Sequence, residues 1–223
     1  MLKIREMFNQ IHKRYDLLNH LMSAGRDIAW RHTCCKKLPQ KKGAVVLDLC
    51  GGTGDFSLSY IKRAKKCKLS IIGDFADKML GEAMQKSPNL IPVQMDATQI
   101  PLANNSVDII LNGFGMRNIQ NLDLAFNEAF RVLKQGGYFV TLDFFKPEKK
   151  VAKLFYQRIA PLAIPFVGML FSKHNAYRYL VISILNFLSP VDYVAKAKNA
   201  GFTLRSINSL DGGLAHIVIC EKK

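Results

Sequence analysis

Three acids and one glycine-rich turn carry the most legible chemistry in this chain. The run Leu47-Asp48-Leu49-Cys50-Gly51-Gly52-Thr53-Gly54-Asp55 follows a short apolar segment and opens a helical one. Glycines at such a turn tolerate positive φ and let a ligand approach the backbone closely. Their spacing is not GxGxxG, which argues against a dinucleotide. Asp48, ending the apolar segment, suits a ligand with a cationic amino-acid tail better than a pyrophosphate. Asp74 stands about 20 residues beyond Gly54, where an acid accepts hydrogen bonds from both hydroxyls of a ribose. Asp96 and Ala97 close the next apolar segment, in place to meet an adenine amine. Taken singly, each acid also reads as a helix cap or turn residue, and GGTG as a tight structural turn. Together they outline a pocket for an adenosyl ligand with an amino-acid tail.

The elements that must hold these residues alternate in type. AVVLDL (44–49), LSIIGD (69–74), LIPVQM (90–95), VDIILNGF (107–114) and GGYFVTLDF (136–144) read as buried strands. FSLSYIKRA, KMLGEAMQK and LDLAFNEAFRVL, which lie between them, read as helices. Such alternation implies a parallel sheet covered on both faces. Before it, residues 1–37 carry Phe8, Ile11, Tyr15, Leu18 and Met22 at helical spacing, with a break at Gly25 and a second helix around Trp30. After it, 146–190 is apolar, aromatic and broken by prolines, and is expected to lay helices over the sheet's C-terminal edge. The chain closes with a helix over 190–200, a strand near FTLRSI and a last strand near AHIVICE.

Composition narrows the class. A chain of 223 residues, 49% hydrophobic, suits one α/β domain over 1–223. Its 32 Lys and Arg against 17 Asp and Glu give a net charge of +15. That surface attracts nucleic acid or an anionic membrane, although a basic surface is often only a solvated face. The five cysteines form no CxxC pair, which argues against a zinc site or a disulfide framework and suits a reducing compartment. The stretch PLAIPFVGMLF is too short to span a bilayer, and the N-terminus lacks an apolar signal segment, so a cytoplasmic protein is expected.

The glycine turn, ribose acid and adenine contact stand in an order that resembles the class I S-adenosylmethionine (SAM)-dependent methyltransferases, over roughly 44–145 and the C-terminal end. The resemblance implies an α/β, Rossmann-like fold: a mostly parallel seven-stranded sheet ending in an antiparallel hairpin. To this the chain adds an N-terminal helical cap (1–43) and a helical insertion after strand five (146–190). It implies a cofactor site at Asp48, Gly51, Thr53, Gly54, Asp74, Asp96, Ala97 and Gly113. A narrower resemblance, to the ubiquinone/menaquinone biosynthesis C-methyltransferases, rests on several motifs. These are Tyr15-Asp16-Leu17-Leu18-Asn19 with Ser23 and Trp30, Phe114-Gly115-Met116-Arg117-Asn118, and Arg131-Val132-Leu133-Lys134 with Gly136-Gly137. Tyr177-Arg178-Tyr179-Leu180 and Asn199-Ala200-Gly201-Phe202 complete it. The chain departs from that pattern at Leu18 (Met in the family), Asp27 (His), Gly113 (Ser), Gln135 (Pro), Asp143 (Glu) and Phe145 (Ser).

What this narrower resemblance implies is methyl transfer from SAM to a ring carbon of a polyprenyl quinol, demethylmenaquinol first and a ubiquinone precursor second, with no metal required. Arg117 and Asn118 would bind the quinol oxygens, and Asp143 would be the base or orient one. Tyr15 and Asp16 would lie on a helix over the SAM pocket, although Tyr15 also sits on the apolar stripe of that helix. None of His12, His20, His32, His174 or His216 is favoured as the base. Phe155, Tyr156, Ile159, Leu162, Ile164, Phe166, Met169 and Phe171 would line a channel for the prenyl tail, or simply complete the core. Lys149, Lys150, Lys153, Arg158 and Lys173 would touch anionic headgroups in a transient membrane contact. Nucleic acid is not the expected partner, and a homodimer is left open. Two rival readings remain: an RNA methyltransferase, against which NGFGMRN lacks the Asn/Asp-Pro-Pro-aromatic pattern, and a non-catalytic subunit of a quinone-synthesis complex.

Overall fold

A computed structural model describes residues 2–39, 41–64, 67–148, 153, 154, 156, 158 and 174–223. The channel residues Phe155, Ile159, Leu162, Ile164, Phe166, Met169 and Phe171, and the basic Lys149, Lys150 and Lys173, lie outside them.

One sheet organises the described chain. Its strands are β1 (Val45–Leu49), β2 (Leu69–Asp74), β3 (Leu90–Gln94), β4 (Val107–Gly113), β5 (Leu133–Asp143), β6 (Thr203–Leu210) and β7 (Ala215–Glu221). Their spatial order is β3-β2-β1-β4-β5-β7-β6. The first five pair in parallel, and β7 pairs antiparallel with both β5 and β6, giving the expected closing hairpin. β5 begins three residues earlier than its glycines suggested, because Leu133 is fully buried and pairs with Val107 ahead of the Gly136 turn. β1 is the central strand from which the chain steps first to one side and then to the other. Ligands of open α/β sheets bind at the C-terminal ends of strands at such a switch point.

The helices are α1 (Leu2–Ile11), α2 (Tyr15–Met22), α3 (Arg26–Lys37), α4 (Asp55–Ala64), α5 (Asp77–Lys86), α6 (Leu122–Val132), α7 (His174–Asn186) and α8 (Pro190–Asn199). Ser189 caps α8 ahead of Pro190, and Asn121 caps α6, so both starts are written locally. α6 and α8 bury Phe126, Ala129, Tyr193 and Ala197 on one face of the sheet. On the other face α3 and α4 bury Trp30, Cys34, Cys35, Phe56 and Tyr60 against β4, β5 and β7.

The N-terminal helices lie across the strand ends and are fastened along α5 by polar groups. Arg5 and Asn9 reach Asp77, His12 meets Glu82 at 2.8 Å, and Lys86 meets Asp16 at 2.6 Å. Gly25, at φ +73°, turns the chain from α2 into α3.

Candidate active site

A cleft of about 740 Å³ opens at the ends of β1, β2 and β4. Asp74, Asp96, Ala97 and Gly113 line it, as does Tyr15 from above. Asp74 is anchored by amides, Oδ2 accepting from Gly52 N and Oδ1 from Ala76 N, both at 2.9 Å. Burial pushes its carboxyl up to about 6, against the pull of the Ala76, Gly52 and Phe75 amides. Asp96 accepts from the amide and hydroxyl of Thr98, each at 2.9 Å, which shapes the far end of the cleft.

Within the glycine turn, Cys50 and Gly52 line the cleft, while Gly51, Thr53 and Gly54 shape the turn from behind. A Cβ on Gly51 would stand 2.7 Å from Ile72 Cγ1. One on Gly54, at φ +83°, would stand 3.0 Å from Leu90 Cδ1. Thr53 donates its hydroxyl to Asp16, tying the turn to α2. Asp48 is likewise behind the turn and fully buried; its Oδ2 accepts from the amide and hydroxyl of Ser57, at 2.9 and 2.8 Å. Burial pushes Asp48 up to about 7, and its Oδ1 has no partner among the described residues. At Gly113, where the resemblance has serine, a Cβ would stand 3.0 Å from the Phe56 ring, so a side chain there needs that ring to give way.

Beside the cleft lies a second chamber of about 940 Å³. Tyr15 and Phe114 line both cavities, so the two ligands they admit would share a wall. Phe114 sits at φ +61°, which costs a bulky side chain strain and points to a position fixed by its surroundings. Its ring lies 4.8 Å from Phe144 and 6.4 Å from Trp30, and Arg31 stands over it at 5.4 Å. Tyr156, Leu180, Ile184 and Leu214 extend the chamber's apolar wall, and Asn19, Ser23, Arg26 and Asp27 add polar groups on the side of α2 and α3. Tyr156 is thus the described member of the expected channel, and its hydroxyl donates to Leu214 O at 3.0 Å.

The polar end of this chamber is Arg117. Its Nη1 donates to Phe114 O and to Asp143 Oδ1, both at 2.5 Å. Asp143 is fully buried, lines neither the cleft nor the chamber, and reaches the chamber through Arg117. Burial raises its carboxyl, and Arg117 opposes that shift. Asn118 lines the cleft and accepts from the Tyr179 hydroxyl at 3.0 Å. Burial also raises Tyr15, with Arg117 and Asn19 pulling the other way.

Asp27, at the family's histidine position, lies in the chamber wall. Burial works against its charge, but Ser23, Arg31 and His20 outweigh it and hold the carboxyl below its usual range. His20, Asp27 and Asp55 converge as a cation-ligand set would, and Arg31 supplies positive charge there, 3.8 Å from Asp55.

A family model described as the ubiE/COQ5 methyltransferase family matches residues 2–222. The chain belongs to that family. The ubiquinone/menaquinone biosynthesis C-methyltransferase UbiE of Allorhizobium ampelinum is 35% identical over 221 residues, covering 95% of this chain and 86% of that one. The protein of the same name from Campylobacter jejuni is 34% identical over 232 residues, covering 99% and 97%. Among solved structures, a SAM-dependent methyltransferase from Aquifex aeolicus superimposes with a TM-score of 0.66 at 18% identity, covering 86% of this chain and 89% of that one. The chain is a SAM-dependent methyltransferase of the ubiE/COQ5 family.

The donor cleft fits SAM on its own residues. Gly52 presents bare backbone at φ +56°, Asp74 offers a carboxylate, and Met79, Met95 and Ile119 give apolar walls for a purine. The aromatic wall, Trp30, Phe114 and Phe144, is what the sequence left without a role. Trp30 and Phe114 stood in quoted motifs and Phe144 follows Asp143, but only the fold brings the three rings together.

Proposed function

We propose that this enzyme methylates a ring carbon of a polyprenyl quinol, demethylmenaquinol before a benzoquinol precursor, within one domain over 1–223. The observation that carries this reading is the aromatic-walled chamber with one buried guanidinium, sharing Tyr15 and Phe114 with the donor cleft. Bound SAM supplies an electrophilic methyl carbon. The chain's task is to make a ring carbon nucleophilic, which means letting a phenolic proton go to water. After transfer the methylated carbon gives up its own hydrogen as a proton, the quinol oxygen is reprotonated, and S-adenosylhomocysteine departs. Asp27, the carboxylate in the chamber wall, is a weak base because its partners hold it ionised. Arg117 therefore does the larger share, stabilising the phenolate and raising its population. Asp143 is a positioning residue that fixes the guanidinium by a buried hydrogen bond. Tyr15 packs between the two ligands, and Asn118, held by Tyr179, lines the donor cleft rather than the chamber, so the quinol oxygen falls to Arg117. Asp74 receives the ribose hydroxyls of the donor, Asp96 and Ala97 face its adenine, and Asp48 braces the turn beneath its amino-acid tail. The enzyme works at the cytoplasmic face of a membrane, where a prenyl tail resides.

The test is methyl transfer from labelled SAM, offered a short-chain demethylmenaquinol and, separately, bulk RNA. Label in the quinol, strongly reduced by Asp74→Ala at limiting SAM, is expected. Label in RNA alone would overturn the quinol reading and leave the fold standing. SAM binding without turnover on either would favour a scaffold subunit.

A further inference from the structure

Two lysine-rich stretches of the sequence meet, in three dimensions, on one flank. Helix α3 buries Asp27, Trp30, Arg31, Cys34 and Cys35 and turns the rest outward. Its exposed positions include Ile28, His32 and Lys36, spaced four apart on one stripe, with Ala29 and Lys37 beside them. No exposed position on α3 carries a carboxylate. At the lower end of the helix the two lysine-rich stretches meet. Arg63 Nη2 donates to Lys36 O at 3.4 Å, and Ala44 joins the Lys41 and Lys68 segments by backbone hydrogen bonds of 3.2 and 3.0 Å. Lys36, Lys37, Lys41, Lys42, Lys62 and Lys68 are exposed there. Of these, Lys41 has an acidic partner, the buried Asp108.

The upper end of the same flank is apolar. Leu17 and Leu21, one turn apart on α2, are 57% and 51% exposed, and Ile28 is 56% exposed. Between them runs the turn Met22-Ser23-Ala24, which lines the substrate chamber. Leucines in water beside the mouth of a cavity for an apolar tail, continuous with a lysine field, form the two-part signal that holds a protein on a bilayer. Lysine on a flexible stem suits diffuse attraction to headgroups better than bidentate recognition of one phosphate. Among the described residues the flank offers no exposed Phe, Tyr or Trp ring, and His32 is its single exposed imidazole.

We infer that the α2–α3 flank docks on an anionic lipid surface, with Leu17, Leu21 and Ile28 entering the interface beside the chamber mouth and Lys36, Lys37 and their neighbours resting on headgroups. The inference rests on the reading of the chamber as a site for a prenylated quinol. It gives part of the chain's basic balance a role outside the chemistry.

The test separates docking from catalysis. The full chain is sedimented with vesicles of phosphatidylcholine alone and of phosphatidylcholine and phosphatidylglycerol in equal parts. Wild type is expected to sediment with the anionic vesicles and remain in solution with the neutral ones. Lys36→Glu with Lys37→Glu should lower partitioning by roughly 30-fold, and Leu17→Ser with Ile28→Ser by roughly tenfold or more. Both variants should methylate a short-chain quinol in detergent as wild type does, while their KM for a long-chain quinol embedded in anionic vesicles rises. Equal sedimentation of wild type and both variants would overturn the docking face, as would binding of bulk RNA in place of vesicles. Lysine-dependent vesicle binding with no methylation of any quinol would instead sink the substrate reading.

Discussion

The donor cleft is made from the ends of neighbouring strands, whereas the chamber beside it is assembled from helices at opposite ends of the chain. In the cleft the working groups are backbone amides, bare glycines and short acids, each within a few residues of a strand end. In the chamber they are large side chains from α2, α3, the loop after β4, the end of β5 and α7. A cleft of the first kind is set once the sheet forms. A chamber of the second kind depends on how distant helices pack, so substrate choice can change there without disturbing the donor.

Substitutions that fall on one side of this division should leave the other untouched. The largest effect is expected from Arg117→Ala, with kcat lower by about 10²–10³-fold and SAM affinity unchanged by calorimetry. Because it also strips buried Asp143 of its counter-charge, chemical denaturation should show a loss of about 3 kcal/mol. Asp74→Ala should act in the opposite sense, raising the SAM dissociation constant at least ~100-fold through two lost charge-assisted bonds. Any kcat for the quinol that survives at saturating SAM should be near wild type. Phe144→Ala removes one ring of the aromatic wall and should raise the quinol KM roughly tenfold, with donor binding unaffected.

The smallest effect is a pH dependence confined to the cleft. Asp74 must be ionised to accept two hydroxyls, so SAM affinity should weaken as pH falls through about 6 and flatten in Asp74→Asn. The sign for stability is the reverse. The folded value lies above the unfolded one, so the stabilising proton is fully bound at low pH. That contribution is lost as pH rises from the ordinary carboxylate range to about 6.

The same division decides what the sequence could disclose. The strand segments, the glycine turn and the placing of Asp74 and Asp96 at strand ends were readable because a strand end and its turn are local in the chain. Gly52 was hidden within a run whose other glycines serve packing, since spacing does not say which glycine faces a ligand. Arg117 was placed by its motif, but its pairing with Asp143 crosses from one strand end to the next. The joining of Trp30, Phe114 and Phe144 depends on the packing of α3 against the sheet, which no local pattern encodes. Asp27, a departure from the family pattern, gains sense only beside Arg31, His20 and Ser23.

The fastening of α1 and α2 along α5 bears on how fast the enzyme can cycle. Arg5, Asn9, His12 and Asp16 hold this cover by exposed or half-exposed polar contacts. Such contacts exchange readily for water and weaken as ionic strength rises. Spent donor must leave the cleft beneath that cover after every transfer. Where its departure limits turnover, moderate salt should accelerate the steady state while leaving a single-turnover burst unchanged.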